Sequence, residues 1–426
     1  MPGYPVCSRG IVFDSQGAYW HIVGSPKENE KKPYCILMIA PTSFFSDYGC
    51  SVRILEEARA LQRLGNRVTV CTYRNGNDLE GLTIRRTPSI PFREHYEVGS
   101  SPHKIAFDLL LFWTVLFSAL RQRPDVIHAH MHEGALIGLV VGWLLRIPMI
   151  FDFQGSLTGE MMDHKFLHQG SVFYGPLRWL ETMIDRRSSV ILTSSHNARR
   201  LLVEEFGCSP ERIHTVADCV DSEAFYPPTE AEYPLLAIRR TNLGIPPHRK
   251  VIAYLGLLAH YQGTDVLLEA AAHLLRERDD VHFLIMGFPS VQHYRQMAQQ
   301  LGVDGNTTFT GKVPYHQARD YLVVGDIAVA PKMSATEGSG KILNYMAVGL
   351  PTVAFDTPVS REYLGDDGIY AVAGDAAALG RALLKGLDEA AGSHRGQILR
   401  RKAQESYSWD GAAQTILQAY ESSCRW

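Results

Sequence analysis

A glycine-rich segment carries the residues best suited to bind a ligand. Glu337 precedes Gly338, Ser339 and Gly340, and Lys341 follows directly. The glycines let the backbone turn tightly and approach a ligand closely. A helix predicted to begin there points free N–H groups at the ligand. Lys341 adds positive charge, and the Glu337 carboxylate can accept hydrogen bonds from hydroxyl groups. Such a segment suits an anion beside a polyol, as in a phosphorylated sugar.

The helix predicted after this turn is short. Gly349 ends it and Pro351 introduces a new strand, because glycine favours the end of a helix and proline cannot continue one. The pair Gly340-Lys341 does not form a triphosphate-binding loop, since that motif needs an earlier glycine and a hydroxyl residue where Ile342 stands. The segment therefore predicts a sugar-phosphate site and excludes a nucleotide triphosphatase.

Length, charge and cysteine usage limit the class of protein. A chain of 426 residues is too long for one ordinary core and predicts two domains. The net charge of −3 argues against a nucleic-acid binder. Seven scattered cysteines, an odd number, indicate reduced thiols in the cytoplasm rather than a disulfide framework. Residues 1–33 are predicted to form a polar, solvated extension and not a signal peptide.

Strand and helix signals alternate along the chain in two rounds. The pattern predicts two doubly wound, Rossmann-like α/β domains that face each other across a cleft. The first spans residues 34–226 and the second 248–406, with a Pro- and Glu-rich linker at 227–247 and a final helix at 407–426. Ligands of such sheets bind beyond the carboxyl ends of the strands, which places the site in the cleft. The predicted strands cover residues 35–40, 67–72, 125–129, 149–153, 190–193, 213–216, 251–256, 281–287, 307–310, 327–330 and 352–355.

The longest apolar run, residues 105–120, has two interpretations. It contains Asp108 and is shorter than the roughly 20 residues that a membrane span needs, which favours a deeply buried helix. The alternative is a helix that touches a membrane surface, with Lys104, Arg121 and Arg123 among the charges at its ends.

Three histidines alternate at the end of a predicted strand. Side chains two residues apart share one face of a strand, so His128, His130 and His132 are predicted to converge. An H-x-H-x-H pattern can bind a metal. No carboxylate- or cysteine-rich motif elsewhere supports one, and we predict no metal. The remaining interpretations are a structural histidine pair or side chains that line the cleft.

Several motifs in a fixed order resemble a known family. Residues 125–130 (DVIHAH), 218–221 (DCVD), 254–263 and 336–349 occur in the order typical of family 4 of the retaining glycosyltransferases, which has the GT-B fold. The resemblance extends over about residues 34–422. It implies transfer of a sugar from a UDP- or GDP-type nucleotide-sugar to a glycan, lipid or small-molecule acceptor, with retention of the anomeric configuration. It also implies a last helix that crosses back to the first domain.

The same resemblance implies a biological setting. The protein is expected to be a hexosyltransferase of polysaccharide or glycolipid biosynthesis that needs no cofactor or metal beyond its nucleotide-sugar. Its expected location is the cytoplasm, with peripheral contact to the inner face of the membrane as an extension of that expectation. No nucleic-acid partner is expected.

The resemblance assigns roles in the donor site, with departures. Glu337 takes the place of a glutamate that contacts donor-sugar hydroxyls, whereas Asn344 stands near the place of a ribose-binding glutamate, one residue too early. Leu257 and Gln262 stand where the family has an arginine and a lysine that hold the diphosphate. We expect Lys341 to supply the missing positive charge. Loss of the arginine and lysine without a replacement would cost about 3 kcal/mol or more of stabilisation of the diphosphate. The further residues expected to bind the donor are Gly256, Gln262, Gly287, Gly338, Ser339, Gly340 and Asn344.

The acceptor side is expected at the strand ends of the first domain. Gln154 stands where family members often have a histidine behind the reacting sugar. A glutamine can donate a hydrogen bond near the anomeric carbon but cannot act as a general base. With Gln154, the expected catalytic residues are Glu337, Lys341 and His130. The residues expected to line the acceptor side of the cleft are Tyr48, Gly49, His132 and Asp152.

Two other functions remain open. A sugar-nucleotide epimerase shares the GT-B fold. A catalytically silent GT-B protein that binds a glycan or a partner would explain why the arginine and lysine are missing. Release of nucleotide from UDP- or GDP-sugars would distinguish a transferase from the silent protein, and interconversion of free nucleotide-sugars would identify the epimerase.

Overall fold

The computed structural model describes most of the chain beyond its first residues. The described residues are 32–47, 49–89, 104–334, 336–390, 392 and 394–423.

The first sheet contains seven strands within the described residues, and all its pairings are parallel. The strands are β1 (Cys35–Ala40), β2 (Arg67–Thr72), β3 (Thr83–Arg86), β4 (Val126–His130), β5 (Met149–Phe153), β6 (Val190–Thr193) and β7 (Ile213–Thr215). They lie in the order β3–β2–β1–β4–β5–β6–β7. The central strands are buried from end to end, as parallel strands covered on both faces require.

The second sheet contains six described strands, also all parallel. They are β8 (Lys250–Leu255), β9 (Val281–Met286), β10 (Thr307–Gly311), β11 (Ile327–Ala330), β12 (Thr352–Phe355) and β13 (Ile369–Ala371). Their order is β10–β9–β8–β11–β12–β13. The predicted pair of doubly wound parallel α/β sheets is therefore confirmed. The edge strands β3 and β13 were not predicted from the sequence, since β3 is polar and half exposed and β13 has three residues.

Helices cover both faces of each sheet. They are α1 (Gly49–Arg63), α2 (Lys104–Gln122), α3 (Met131–Leu145), α4 (Leu157–Asp163), α5 (Tyr174–Arg187), α6 (His196–Glu204), α7 (Tyr233–Asn242), α8 (Thr264–Leu274), α9 (Val291–Gln300), α10 (Ala318–Leu322), α11 (Gly340–Ala347), α12 (Pro358–Leu364), α13 (Ala376–Ala390), α14 (Arg395–Ser406) and α15 (Trp409–Ser423). Helices α1 and α15 pack on one face of the first sheet, and α2, α3, α5 and α6 pack on the other. The segment predicted as a linker contains α7, whose Pro234 lies in the first turn, where its missing N–H costs no hydrogen bond.

The last helix belongs to the core of the first sheet. Trp409, Ala413, Ile416 and Tyr420 of α15 are buried against α1 and the strands β1, β4 and β5. Tyr420 also shares a 2.7 Å hydrogen bond with Nδ1 of His128 in β4. Helix α15, at the end of the described chain, therefore stabilises the half of the molecule that contains the first sheet.

Removing apolar volume from α15 should destabilise the protein. Ile416→Ala would leave a cavity at a fully buried site and should lower the free energy of unfolding by about 2–5 kcal/mol. Denaturant unfolding followed by circular dichroism would measure the loss. Gln418→Ala on the exposed side of the same helix is the matched control and should change the stability little. Equal losses in the two variants would show that α15 does not contribute to this core.

Candidate functional site

A cavity of about 710 Å³ lies between the two sheets, at the carboxyl ends of their strands. Residues directly after six strands line it: Pro41 after β1, Met131 after β4, Gln154 after β5, Ser194 after β6, Gly256 after β8 and Gly287 after β9. This is where ligands of doubly wound sheets bind. Of the residues predicted for the site, the cavity brings together Gly49, Gln154, Gly256, Gln262, Gly287, Glu337, Gly338, Ser339, Gly340, Lys341 and Asn344.

Four of the predicted site residues are not among the described residues that line the cavity. His130, His132 and Asp152 are buried and do not line it. Tyr48 lies outside the described residues. The prediction that His132 and Asp152 face the cleft is wrong, because Asp152 is buried in β5 and His132 lies on α3 rather than on the strand.

The turn at Met131 separates the histidines. Met131 has a left-handed φ of 57°, so strand β4 ends at His130 and α3 begins at once. The two-residue alternation therefore stops before His132. The rings of His128 and His130 stack with centroids 4.5 Å apart on the side of α15. His132 packs instead against Phe151 and Phe153, on the opposite face of the sheet. The predicted convergence of three imidazoles is wrong.

Both histidine groups have carboxylate neighbours that sequence analysis missed. Ligand-type atoms of Glu57 and Asp152 lie within 4.8 Å of those of His128 and His130. On the other face, His132 Nε2 lies 3.2 Å from Asp185 Oδ1. Burial opposes a charge on His132, but the hydrogen bond and charge of Asp185 raise its pKa to about 9. This imidazolium is thus a buried counter-ion and not a free base.

The carboxylate Asp152 lies at the centre of a buried hydrogen-bond network beneath the cavity. It accepts from Nε and Nη2 of Arg53 at 3.0 and 2.9 Å, and it lies 2.9 Å from His130 Nδ1. Nε2 of Gln154 donates to the same carboxylate at 2.9 Å. Burial alone would favour the neutral acid, but the Arg53 charge and the His130 hydrogen bond hold the pKa of Asp152 below its ordinary value. Asp152 and His130 therefore orient Gln154, which lines the cavity together with Arg53.

Arg53 links this network to the second sheet. Its Nη1 binds Oδ1 of Asp218 at 3.0 Å, and its Nε lies 3.0 Å from Glu57. A Cβ atom on Gly338 would collide with Oδ2 of Asp218, so the glycine turn before α11 and Asp218 are in direct contact. Sequence analysis missed Arg53. The signal that could have found it is the charged pair Arg53 and Glu57 at i and i+4 on a stripe of α1 that is otherwise apolar.

The glycine turn holds Glu337 in a fixed position. Lys332 Nζ lies 2.5 Å from Oε2 of Glu337 and donates to the carbonyl of Gly338 at 2.6 Å. Helix α11 begins at Gly340, as predicted from the sequence. Ser339, which precedes it, is buried on the cavity wall, and its hydroxyl has no hydrogen-bond partner among the described residues. Donor groups and a carboxylate thus face the same part of the cavity.

Lys341 reaches from α11 into the loop after β8. Its Nζ donates to Oε1 of Gln262 at 2.8 Å and lies 4.5 Å from the ring centroid of Tyr254. A Cβ atom on Gly256 would be 2.5 Å from this Nζ, so a side chain at this position would displace the lysine. Burial and the charge of Lys332 lower the pKa of Lys341 to about 7, although Glu337 opposes the shift. A cation therefore occupies the loop whose expected arginine and lysine are missing.

The wall contributed by the first sheet is acidic. Glu160 of α4 lies beside Gly155, where a Cβ atom would be 2.6 Å from its Oε1 and 3.1 Å from Cγ of Glu337. Burial and the charges of Glu337 and Glu133 raise the pKa of Glu160 to about 8. Glu133 itself pairs with Lys104 at 2.5 Å. The segment after β5 reads as a loop in the sequence, but it folds as α4 and brings Glu160 into the cavity.

Comparisons with known proteins agree with this geometry. Residues 48–219 match the family described as "Glycosyl transferase 4-like domain", and residues 249–389 match "Glycosyl transferases group 1". A D-inositol 3-phosphate glycosyltransferase of Xylanimonas cellulosilytica is 25% identical over 397 residues, 88% of this chain and 92% of the relative. One of Corynebacterium aurimucosum is 27% identical over 324 residues, 72% of this chain and 74% of the relative.

Solved structures share the two-sheet architecture. Sucrose-phosphate synthase from Thermosynechococcus elongatus has a TM-score of 0.75 at 17% identity, covering 91% of this chain and 98% of its own. Anabaena HepE in complex with UDP-glucose has a TM-score of 0.73 at 15% identity, covering 91% and 99%. At such identities the likeness shows the GT-B fold and no more.

Loss of Arg53 should strongly destabilise the protein. Arg53→Met removes the positive charge shared by Asp152, Glu57 and Asp218, and it leaves two fully buried carboxylates, Asp152 and Glu57, without this cation. The free energy of unfolding should fall by about 3–5 kcal/mol. Arg63→Met on the same helix removes an exposed ion pair with Asp410 and should cost no more than about 1 kcal/mol. Denaturant unfolding of both variants tests this, and similar stabilities would contradict the role of Arg53.

Proposed function

This chain belongs to family 4 of the glycosyltransferases, and from that membership we propose that it transfers a hexose from a nucleoside-diphosphate sugar with retention of the anomeric configuration. The chain is a glycosyltransferase of GT-B fold. The observation that carries the proposal is the position of Lys341, whose Nζ lies in the loop after β8 beside Gly256 and Gln262. A single lysine there faces the place of a leaving diphosphate.

The donor sugar and its diphosphate require different groups. Glu337, held by Lys332, offers a carboxylate to sugar hydroxyls. Lys341, the start of α11 and the hydroxyl of Ser339 offer positive charge and donors to the diphosphate. As the glycosidic bond breaks, negative charge grows on the leaving phosphate, and preorganised donors stabilise it most in the transition state. In this proposal Gln262 holds the lysine and Asn344 of α11 contacts the nucleoside side.

Gln154 is proposed to act at the anomeric carbon. Asp152 fixes one of its amide hydrogens at 2.9 Å, so the rest of the amide is oriented toward the cavity. An amide does not take up a proton at neutral pH, and the acceptor hydroxyl loses its proton to another group. We propose that the leaving phosphate oxygen accepts it, so that the acceptor oxygen forms the new bond on the face that the phosphate leaves. That course retains the configuration.

The donor and acceptor follow from the relatives as proposals. HepE of Anabaena is seen in complex with UDP-glucose, which supports a UDP-type donor here. The curated relatives are named for D-inositol 3-phosphate, a phosphorylated polyol, and a glycan or a lipid-linked glycan is our proposed acceptor. We place the protein in the cytoplasm, in contact with the inner face of a membrane, in polysaccharide or glycolipid biosynthesis. We propose that Lys341 and α11 supply the positive charge and that no metal is required.

Nucleotide release tests the proposed function against its alternatives. Incubation with UDP- and GDP-sugars, with lipid and glycan acceptors, should release the nucleoside diphosphate. Interconversion of free nucleotide-sugars without release would instead identify an epimerase. Neither release nor interconversion with any donor would indicate a silent binding protein. Addition of a chelator should leave the release unchanged, and a loss that a divalent cation restores would contradict the metal-free mechanism.

Neutralising Lys341 should weaken donor binding strongly. Lys341→Met removes the cation at the diphosphate and leaves Gln262 without its partner. Titration calorimetry with UDP-sugars should show a loss of affinity of at least about tenfold, since hydrogen bonds to charged groups contribute roughly 1.5–3 kcal/mol. Lys385→Met on the exposed part of α13 is the matched control and should bind normally. Near-normal affinity of Lys341→Met would refute the assignment.

Donor affinity should fall as the pH rises above neutrality. In the free protein Lys341 has a pKa of about 7, so higher pH favours its neutral amine. Binding of the anionic donor then requires protonation of that amine, which costs free energy. Affinity should decrease by up to about tenfold per pH unit above that value. Ionisation of Glu160, with a pKa of about 8, acts in the same direction. Lys341→Arg, which stays charged, should flatten the part of the profile due to the lysine. Identical profiles for the two proteins would contradict this origin.

A further inference from the structure

The outward surface of three neighbouring helices is apolar. Helix α3 packs against both α2 and α5 on one side of the first sheet. We call the outward surface of α2, α3 and α5 the α2–α3–α5 face. Trp143 of α3 is 79% exposed and Trp179 of α5 is 69% exposed. A surface with several large exposed apolar side chains close together indicates an interaction site.

Helix α2 has two apolar stripes on opposite sides. Phe107, Leu111, Val115 and Ala119 repeat every four residues and are buried in the core of the first sheet. The outward stripe repeats with the same spacing and is between 48% and 76% exposed: Ile105, Leu109, Trp113 and Phe117. Within the described residues α2 is the one helix long and apolar enough to cross a membrane. Its inward stripe already forms part of a soluble-type core, so the free outward stripe fits a surface contact instead of a span.

The charged side chains that these three helices expose are all of one sign. The three helices contain four carboxylates, Asp108, Glu133, Glu181 and Asp185. None of the four is exposed. Asp108 accepts from Tyr73 at 2.5 Å, Glu133 pairs with Lys104, and the other two are buried around His132. A face whose acids all turn inward presents no negative charge from these helices to a partner.

Arginines lie at the carboxyl-terminal ends of the same helices. Arg121 lies in the last turn of α2, Arg146 ends α3, and Arg187 is the last residue of α5. All three are exposed. Arginines at helix ends favour the helix dipole in any protein. Here they lie at one end of an aromatic surface, where Arg146 and Arg187 line one pocket with Trp143. Trp rings beside Arg side chains are the pattern found where proteins meet the headgroups of a bilayer.

We propose that the α2–α3–α5 face docks on the surface of a bilayer that contains anionic lipids. The stripe from Ile105 to Phe117 and the two tryptophans enter the headgroup region, and the arginines bind lipid phosphates. A protein partner would need acidic groups placed around an apolar surface that matches this face. An anionic bilayer offers negative headgroups and an apolar interior over any area.

Docking of this face would extend the proposed function to the delivery of the acceptor. Only this statement about the acceptor rests on the proposed function. Lys104 and Phe107 in the first turn of α2 line the cavity, and Ile105 between them is on the outward stripe. The docked face therefore reaches the rim of the cavity. An acceptor whose anchor stays in the bilayer would enter the cavity from this end.

Vesicle co-sedimentation tests the docking. The full chain should sediment with vesicles in which part of the phosphatidylcholine is replaced by phosphatidylglycerol, and added salt should weaken the binding, because exposed charges are screened. Trp113→Ser with Phe117→Ser should reduce the bound fraction at least about tenfold, as less apolar area enters the headgroup region. Arg121→Gln with Arg146→Gln should remove the preference for the anionic vesicles.

A matched control uses exposed apolar residues elsewhere. Leu235 and Ile238 of α7 are also more than half exposed, and Leu235→Ser with Ile238→Ser should leave vesicle binding unchanged. Circular dichroism would establish that every variant is folded. Failure of the unaltered protein to bind anionic vesicles, or equal losses in the α2 and α7 variants, would overturn the proposal. A dimer in gel filtration that Trp113→Ser disperses, with no vesicle binding, would overturn it in favour of a second copy of this chain.

Donor turnover separates this inference from the proposed function. Release of nucleotide with a soluble acceptor should persist in the Trp113→Ser, Phe117→Ser variant, since neither side chain lines the cavity. Vesicle binding by a protein that turns over no nucleotide-sugar would refute the transferase and leave the docking surface in place. Turnover without vesicle binding would refute the docking surface alone.

Discussion

The guanidinium of Arg53 is the contact on which the site depends. It is buried on α1, yet it binds carboxylates from β5 and from the segment after β7, and the latter carboxylate touches the glycine turn of the second sheet. A buried cation that pairs with several acids cannot be removed without leaving charge in a medium of low dielectric constant. One side chain, Arg53, therefore fixes the positions of Gln154, His130 and the turn at Gly338, although it lies far from that turn in the chain.

The proposed donor side contains a cation from another element in the loop where two cations were expected. The loop after β8 has Leu257 and Gln262 in place of the two expected cations, and Lys341 enters it from α11. The lysine lies over Tyr254 and against Gly256, in a space that a side chain at Gly256 would fill. Its low pKa is the physical consequence of moving a cation into a confined place next to Lys332. Such a cation binds an anion well because little water competes for it.

The two faces of the first sheet carry different chemistry. On the side of α1 and α15, buried acids and histidines orient the cavity wall. On the side of α2, α3 and α5, acids turn inward and aromatic residues turn outward. On both sides the helices turn apolar residues toward the sheet. The two sides differ in what the opposite stripe of each helix contacts. The site and the proposed docking face are thus two consequences of one layered half of the molecule.

Local pattern in the chain was enough for the layout. Alternating apolar strands and helices, with glycines at their ends, predicted both parallel sheets, their cleft and the turn before α11, because these depend on periodicity and backbone freedom. The pattern failed at Met131, where one left-handed residue ends the alternation of the histidines. It also did not predict Arg53, since burial and charge pairing join residues that lie far apart in the chain. Where a side chain points, and which charge it meets, depended on the packing of helices that no short segment encodes.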